Sequence, residues 1–99
     1  MEIRQTRAFS DWLEKLRDLQ AVARIDLRIR RMSLGNPGDV RQVGGGVSEM
    51  RVDVGPGYRV YFTRRPDGTV ILLCGGDKRR QRADIMRARQ MAKELDDGA

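Results

Sequence analysis

The sequence predicts an α+β fold, in which helices pack on a mostly antiparallel sheet. Two segments with helical spacing follow a short extended start, a run of strand-like segments fills the middle of the chain, and a third helical segment follows. Strands and helices that are grouped separately along a chain are typical of this class. A chain of 99 residues can bury roughly two thirds of its unfolded surface in one core, so we expect one domain over residues 1–99.

The amino-terminal third predicts a short strand and then a helical hairpin. Residues 2–6 form the strand candidate, and Thr6 is a suitable N-cap for a helix from about residue 7 to residue 18. A second helix runs from residue 22 until Gly35, Asn36 and Pro37 end it. Because the two helices have a short connection, we expect them to lie antiparallel. Their apolar positions are Phe9, Trp12, Leu13 and Leu16, then Ile25, Ile29 and Met32.

The middle of the chain predicts several strands joined by glycine-rich turns. Residues 40–43 form a weak strand, and the turns are expected at residues 44–46, 55–57 and 65–68. Residues 69–74 are apolar at nearly every position, which predicts a central strand that is covered on both faces.

The end of the chain predicts one more helix, from about residue 79 to residue 95. Gly75, Gly76 and Asp77 are expected to leave the sheet before it begins. We expect residues 96–99 to fray. The inner stripe of this helix is predicted to be Ile85, Ala88, Ala92 and Leu95.

Alternation along the two middle strands separates charged from apolar side chains. Arg51, Arg59 and Tyr61 share one face of the sheet, because strand side chains alternate with a period of two. The helices are predicted to pack on the other face, so these three residues are expected on an open face suited to an anion. The apolar face consists of Met50, Val52, Val54, Tyr58, Val60 and Phe62.

Charge and cysteine content narrow the class of partner and the compartment. Twenty Lys and Arg residues against fourteen Asp and Glu give a net charge of +6, which favours a polyanion or an acidic protein as partner. Seventeen of the twenty are arginines, whose planar fork suits phosphate. The single cysteine, Cys74, lies in an apolar run and is expected to be buried. With no membrane span or leader pattern, these features predict a cytoplasmic protein.

Three segments at a characteristic separation resemble a known family. They are Val47-Ser48-Glu49-Met50-Arg51, the stretch Gly55-Pro56-Gly57-Tyr58-Arg59-Val60-Tyr61-Phe62, and Leu72-Leu73-Cys74-Gly75-Gly76-Asp77-Lys78. The pattern is similar to the RelE/ParE superfamily of type II toxins, and within it to the addiction module killer proteins related to the phage Gp49-like and HigB groups. The resemblance covers nearly the whole chain and implies a RelE-like fold.

The resemblance also implies a function and a set of partners. It implies a toxin held inactive by a cognate helix-turn-helix antitoxin, with operator DNA contacted only through the antitoxin complex. The RelE and HigB branches cleave messenger RNA on the ribosome, whereas the ParE branch poisons DNA gyrase without catalysis. The fold does not choose between these activities. A degenerate toxin that survives as a DNA-binding partner of the antitoxin is a third alternative.

The candidate chemistry is metal-independent cleavage of RNA, with no cofactor. The chain has no histidine, and Glu49 and Asp53 lie roughly 13 Å apart along a strand, so a conventional metal site is not expected. Arg51 and Arg59 are expected to clamp the scissile phosphate. Tyr61, with its ionised form favoured by nearby cations, and Lys78 are expected to share the acid and base work.

Two sets of these residues also have a purely structural interpretation. Lys78, Arg79, Arg80 and Arg82 form a basic run that is either an RNA-binding patch or the exposed first turn of a helix. Exposed strand arginines can serve only to block pairing of sheet edges, and Tyr61 can be a cross-strand packing residue.

Overall fold

The computed structural model describes residues 1–98, and the order of its elements is the predicted one. The strands are β1 (Ile3–Gln5), β2 (Val40–Gly44), β3 (Val47–Val52), β4 (Tyr58–Arg64) and β5 (Val70–Asp77). The helices are α1 (Arg7–Lys15), α2 (Leu19–Ser33) and α3 (Gln81–Asp97), and a 3₁₀ turn, Lys78–Arg80, joins β5 to α3. None of the helices in residues 1–98 has the length and apolar character to cross a membrane.

The five strands form one sheet in the order β1-β5-β4-β3-β2. Only β1 and β5 pair in parallel, and every other neighbouring pair is antiparallel. The predicted α+β class with a mostly antiparallel sheet is therefore confirmed. β5 lies between β1 and β4, in the interior of the sheet, as its continuous apolar sequence predicts.

Side-chain caps fix the amino-terminal ends of the first two helices. Thr6 caps α1, because its hydroxyl accepts a hydrogen bond from the backbone N–H of Phe9 (3.1 Å) and donates one to the carbonyl of Leu73 (2.6 Å). α1 ends three residues earlier than predicted, since Leu16 has an extended backbone. Asp18 then caps α2 by accepting from the N–H of Ala21 (3.1 Å), so α2 begins earlier than predicted.

One face of the sheet packs against α1 and α2. Burial of these apolar side chains stabilises the fold by roughly 25 cal/mol for each Å² removed from water. The rings of Trp12 and Tyr58 meet in an edge-to-face arrangement, with centroids 6.2 Å apart. The buried residues of this cluster are Phe9, Ala21, Ile25, Met32, Met50, Val52, Tyr58, Val60, Phe62, Val70 and Leu72.

The other face of the sheet is covered by α3, so the prediction of an open second face is wrong. Ala88 and Ala92 are buried, and their small side chains let the helix lie close to the strands. β5 carries an extra residue opposite β4, with Tyr61 paired to Cys74 but Phe62 paired to Leu72. The buried residues of this second cluster are Val47, Tyr61, Leu73, Cys74, Ala88 and Ala92.

Gly75 and Gly76 stay in β5, contrary to the prediction that they leave the sheet. Both positions lie under a close approach from a helix. A Cβ on Gly75 would stand 2.4 Å from the ring of Trp12, and one on Gly76 would stand 1.9 Å from Oδ2 of Asp84. At the end of the chain, Asp96 and Asp97 are helical rather than frayed, and the part of that prediction on residue 99 lies outside the described residues.

Candidate anion-binding site

The register of the sheet brings three of the four predicted catalytic residues to one end of it. Arg51 of β3 pairs directly with Arg59 of β4, and Arg59 pairs with Gly76 of β5. Lys78 follows β5 at the same end and is exposed, and its Cβ lies 3.9 Å from the place of a Cβ on Gly57. Like charges directly across a strand pair are destabilising, so this placement of two arginines does not contribute to the stability of the fold.

A shallow cleft of about 230 Å³ opens beside the two arginines, at the connection between β3 and β4. Two carboxylates line it together with the guanidinium groups, so the cleft has both cations for an anion and groups that can accept a proton. The residues of this β3–β4 cleft are Asp39, Arg51, Val52, Asp53, Gly57 and Arg59.

Arg59 is a buried guanidinium with few partners. The residue is 8% exposed, and its only side-chain hydrogen bond to residues 1–98 runs from Nη1 to the carbonyl of Gly57 (2.9 Å). Nε is buried without a hydrogen-bond acceptor and lies 4.0 Å from Oε2 of Glu49. An unsatisfied buried donor typically costs about 1–3 kcal/mol, and more when it is charged. The cleft therefore holds a cation that the protein itself leaves largely unsatisfied.

Arg51 is placed differently from Arg59, on the open side of the cleft. Its Nε and Nη2 donate to the two carboxylate oxygens of Asp39 at 3.0 and 3.3 Å, and both side chains are about half exposed. Exposed ion pairs of this kind contribute only about 0–1 kcal/mol. A ligand anion can therefore take the place of Asp39, and the predicted clamp requires that exchange.

Tyr61 is fully buried under α3, which differs from the predicted open position. Its hydroxyl donates a hydrogen bond of 3.0 Å to Oε2 of Glu49. Burial, followed by the hydrogen bond to Glu49 and the negative charge of that residue, raises the pKa of Tyr61 far above its usual value. The expectation that nearby cations favour the ionised phenol is wrong, because these effects outweigh the charge of Arg59.

Glu49 is a functional candidate whose sequence position suggests only a poor metal ligand. It is fully buried, and it accepts hydrogen bonds from Nε of Arg41 (2.9 Å), the hydroxyl of Tyr61 (3.0 Å) and Nε2 of Gln81 (3.0 Å). Burial alone would raise the pKa of Glu49, but these three hydrogen bonds outweigh it and hold the pKa below its usual value. Strand alternation places Glu49 on the same face as Arg51, which was the available signal.

The predicted RNA-binding residues lie on the surface beyond the cleft. Arg79, Arg80 and Arg82 are all exposed. Arg79 donates to Oδ2 of Asp77 (3.2 Å), and Asp77 also caps the 3₁₀ turn through the backbone N–H of Arg79 (2.9 Å). Among residues 1–98, no three His, Cys, Asp or Glu side chains are grouped so that they could hold a metal ion.

Two comparisons with known proteins give the relatives of this chain. A family model described as "Phage derived protein Gp49-like (DUF891)" matches residues 11–94. A protein from Haemophilus influenzae, described as an uncharacterized protein, is 47% identical over 95 residues, which cover 96% of this chain and 96% of that protein. The matched residues include the whole β3–β4 cleft.

Proposed function

This chain belongs to the family of phage-derived Gp49-like proteins, and from that premise we propose that it is the toxin of a type II toxin–antitoxin pair. Its proposed activity is ribosome-dependent cleavage of messenger RNA without a metal ion or cofactor. The proposal is supported by the relation of Gp49-like proteins to RelE-like toxins and by the motifs that cover β3, β4 and β5. The cytoplasm is the proposed compartment, with a helix-turn-helix antitoxin as the partner that neutralises it.

The observation that carries this proposal is the state of Arg59. A nearly buried guanidinium that donates one hydrogen bond and lines an open cleft is prepared for an anion from outside the protein. Arginine forks match the paired oxygens of phosphate and stay charged throughout a reaction. A phosphate diester in the cleft would supply the acceptors that the protein does not.

The proposed reaction is attack of a ribose 2′-hydroxyl on the adjacent phosphorus. A bond forms between the 2′-oxygen and phosphorus, the bond from phosphorus to the 5′-oxygen breaks, and Arg51 and Arg59 stabilise the extra negative charge of the phosphorane. Arg51 does so after it leaves Asp39. The carboxylates of Asp39 and Asp53 line the cleft and are the candidate acceptors for the 2′-hydroxyl proton.

Lys78 is the proposed donor of a proton to the leaving 5′-oxygen, because it is exposed at the rim beside Gly57. Tyr61 is too deeply buried to contact RNA, so we assign it an indirect role as a positioning residue. It holds Glu49, and Glu49 lies against Nε of Arg59. The ribosome would position the message, and well-oriented reactants need less from the catalytic groups themselves.

The test is induction of the chain in bacteria as wild type, as Arg59→Gln and as Arg59→Lys. Primer extension across several messages measures cleavage. Arg64→Gln is the matched control, since Arg64 is an exposed arginine at the opposite end of the same strand. We expect cleavage within translated messages for wild type and Arg64→Gln, and a loss of at least about 100-fold for both Arg59 variants.

Circular dichroism of each purified variant establishes that it is folded. Growth arrest with intact messages and damaged DNA would replace this proposal with the gyrase-inhibitor alternative. Expression without growth arrest would replace it with the degenerate toxin.

A further inference from the structure

The exposed side of α3 carries a row of cations that the β3–β4 cleft does not use. Arg82, Arg89 and Lys93 are spaced seven and four residues apart, so they lie on one stripe of the helix, with Met86 between them. All four are exposed, and Met86 is 66% exposed. We name these four residues the α3 track.

The surface beside the α3 track is grooved on both sides of Met86 and Arg89. One depression of about 380 Å³ includes Arg41 of β2. Another of about 580 Å³ includes Lys93 and the turn at Gly45, and its far end is lined by Asp96 and Asp97. The side chain of Arg89 lies across that turn, since its Nε would be 3.1 Å from a Cβ on Gly45. Arg89 therefore lines both depressions and lies close to this turn.

The fold gains little from these cations. Arg82, Arg89 and Lys93 form no salt bridge with residues 1–98, whose ion pairs involve other side chains. Arg89 and Lys93 are like charges four residues apart, which destabilises a helix by about 0.2–0.5 kcal/mol. Arg82 lies in the first turn, where a cation opposes the helix dipole. Within the track the acidic residue Asp84 is buried toward the sheet. Glu94, Asp96 and Asp97 follow its last cation, and Asp96 is paired with Arg65.

We infer that the α3 track binds the phosphate backbone of single-stranded RNA, as an extension of the β3–β4 cleft. This inference rests on the proposed function and describes the path that the RNA strand takes beyond the cleft. Gln81, at the start of α3, bonds to Glu49, which lies against Arg59, so the track begins where the cleft ends. From Arg82 to Lys93 the helix rises about 16 Å, enough to run beside several phosphates.

Nucleic acid fits the α3 track better than an acidic protein does. Protein interfaces depend on a few large apolar or aromatic anchors in desolvated pockets. The track offers only Met86, whereas three exposed leucines lie elsewhere, on α2 and its carboxyl end: Leu19, Leu27 and Leu34. A row of arginine and lysine side chains suits contacts to the phosphates of a nucleic-acid backbone, which carry no sequence information.

The experiment measures binding of a fluorescein-labelled 12-nucleotide oligouridylate to the purified full chain by anisotropy, from 50 to 300 mM KCl. The track variant combines Arg82→Gln, Arg89→Gln and Lys93→Gln. The matched control combines Arg24→Gln, Arg30→Gln and Arg31→Gln, which removes the same charge from the exposed side of α2. Each lost phosphate contact to a single strand lowers the log–log salt slope by about 0.7, so we expect the track variant to lose roughly two units.

The control is expected to keep nearly the full slope. Equal slopes for the two variants, or no loss in the track variant, would overturn the inference, because binding would then follow net charge alone. An acidic helical peptide bound through the track while RNA binding stays intact would also overturn it. The proposed function is tested separately. If cleavage depends on Arg59 but the track variant keeps the salt slope of wild type, only the inference on the α3 track is overturned. If the salt slope depends on the track but no cleavage occurs in cells, only the endoribonuclease proposal is overturned.

Discussion

The hydroxyl of Tyr61 donates a 3.0 Å hydrogen bond to Glu49, and both side chains are fully buried between the sheet and α3. The carboxylate of Glu49 lies 4.0 Å from Nε of Arg59, so the hydrogen bond from Tyr61 orients this carboxylate behind the β3–β4 cleft. A residue that orients, through a hydrogen bond, another side chain of the site commonly affects activity without touching the substrate itself.

We predict that Tyr61→Phe destabilises the fold by about 2 kcal/mol, because one donor to a buried carboxylate is lost. The measurement is urea unfolding, in which the midpoint should fall while the dependence of free energy on urea stays constant. Tyr58→Phe is the control, since Tyr58 lies on the other face of β4 and packs against Trp12. An unchanged midpoint for Tyr61→Phe would show that this hydrogen bond contributes nothing.

Glu49 should make stability depend on pH in the acid range. Its pKa is lowered in the folded protein, so the unfolded chain binds the proton more readily. The resulting stability is fully present above the usual pKa, near 4.5, and is lost as the pH falls through the lowered value in the folded state. The substitution Glu49→Gln removes this titrating carboxyl group.

We therefore expect wild type to exceed Glu49→Gln in unfolding free energy at pH 7, with the difference shrinking from pH 5 toward pH 3. Urea unfolding at four pH values measures it. Glu94→Gln, an exposed change on α3, is the control that removes a carboxylate without a buried network. A difference that stays constant with pH would contradict the assignment to Glu49.

Gly75→Ala should destabilise the protein by about 1–3 kcal/mol, because the new methyl group would stand 2.4 Å from the ring of Trp12. Trp12→Leu removes the ring and is destabilising by itself. The combined variant should lose less than the sum of the two single changes, and thermal unfolding of all four proteins measures this coupling. Additive losses would mean that the glycine is needed for another reason.

Asp39→Asn should strengthen binding of RNA to the free protein by roughly two- to fivefold at 100 mM KCl, since Arg51 loses a pair worth up to about 1 kcal/mol. Anisotropy with the same oligouridylate measures it. Asp53→Asn removes the same charge from the same cleft, but Asp53 forms no salt bridge with residues 1–98. Equal gains from the two changes would attribute the effect to charge rather than to release of Arg51.

Local patterns in the sequence predict the helices and strands, but the long-range packing differs from the packing that the sequence predicts. The cap at Thr6, the interior place of β5 and the inner stripe of α3 follow from spacing and composition. The coverage of the second sheet face does not, because an alternating strand such as β4 looks the same whether its polar face meets water or a buried carboxylate. Tyr61 was therefore expected on an open surface.

The same reason explains which parts of the site were predicted. Arg51, Arg59 and Lys78 gather at one end because strand register is local. The contacts of Arg51 with Asp39 and of Tyr61 with Glu49 also join cross-strand neighbours, since the N–H of Arg51 bonds to the carbonyl of Asp39 and Glu49 pairs with Tyr61. Spacing does not encode the burial of Glu49 and Tyr61, because that depends on where α3 comes to lie. The two adjacent glycines of β5 predict a strand end, but in the structure they lie where Trp12 and Asp84 approach the strand closely.

The contact between Thr6 and Leu73 also bears on the order in which this chain acquires its structure. The two residues are 67 positions apart, and β1 has no other strand beside it than β5. Contacts between distant parts of a chain slow folding, and domains generally fold as units during synthesis. The first strand therefore has no pairing partner until β5 has left the ribosome. Helix α1 packs mainly on β5 and waits for the same event, whereas α2 has a partner as soon as β3 is available. The nascent chain therefore exposes part of the apolar side of α1 until β5 has formed.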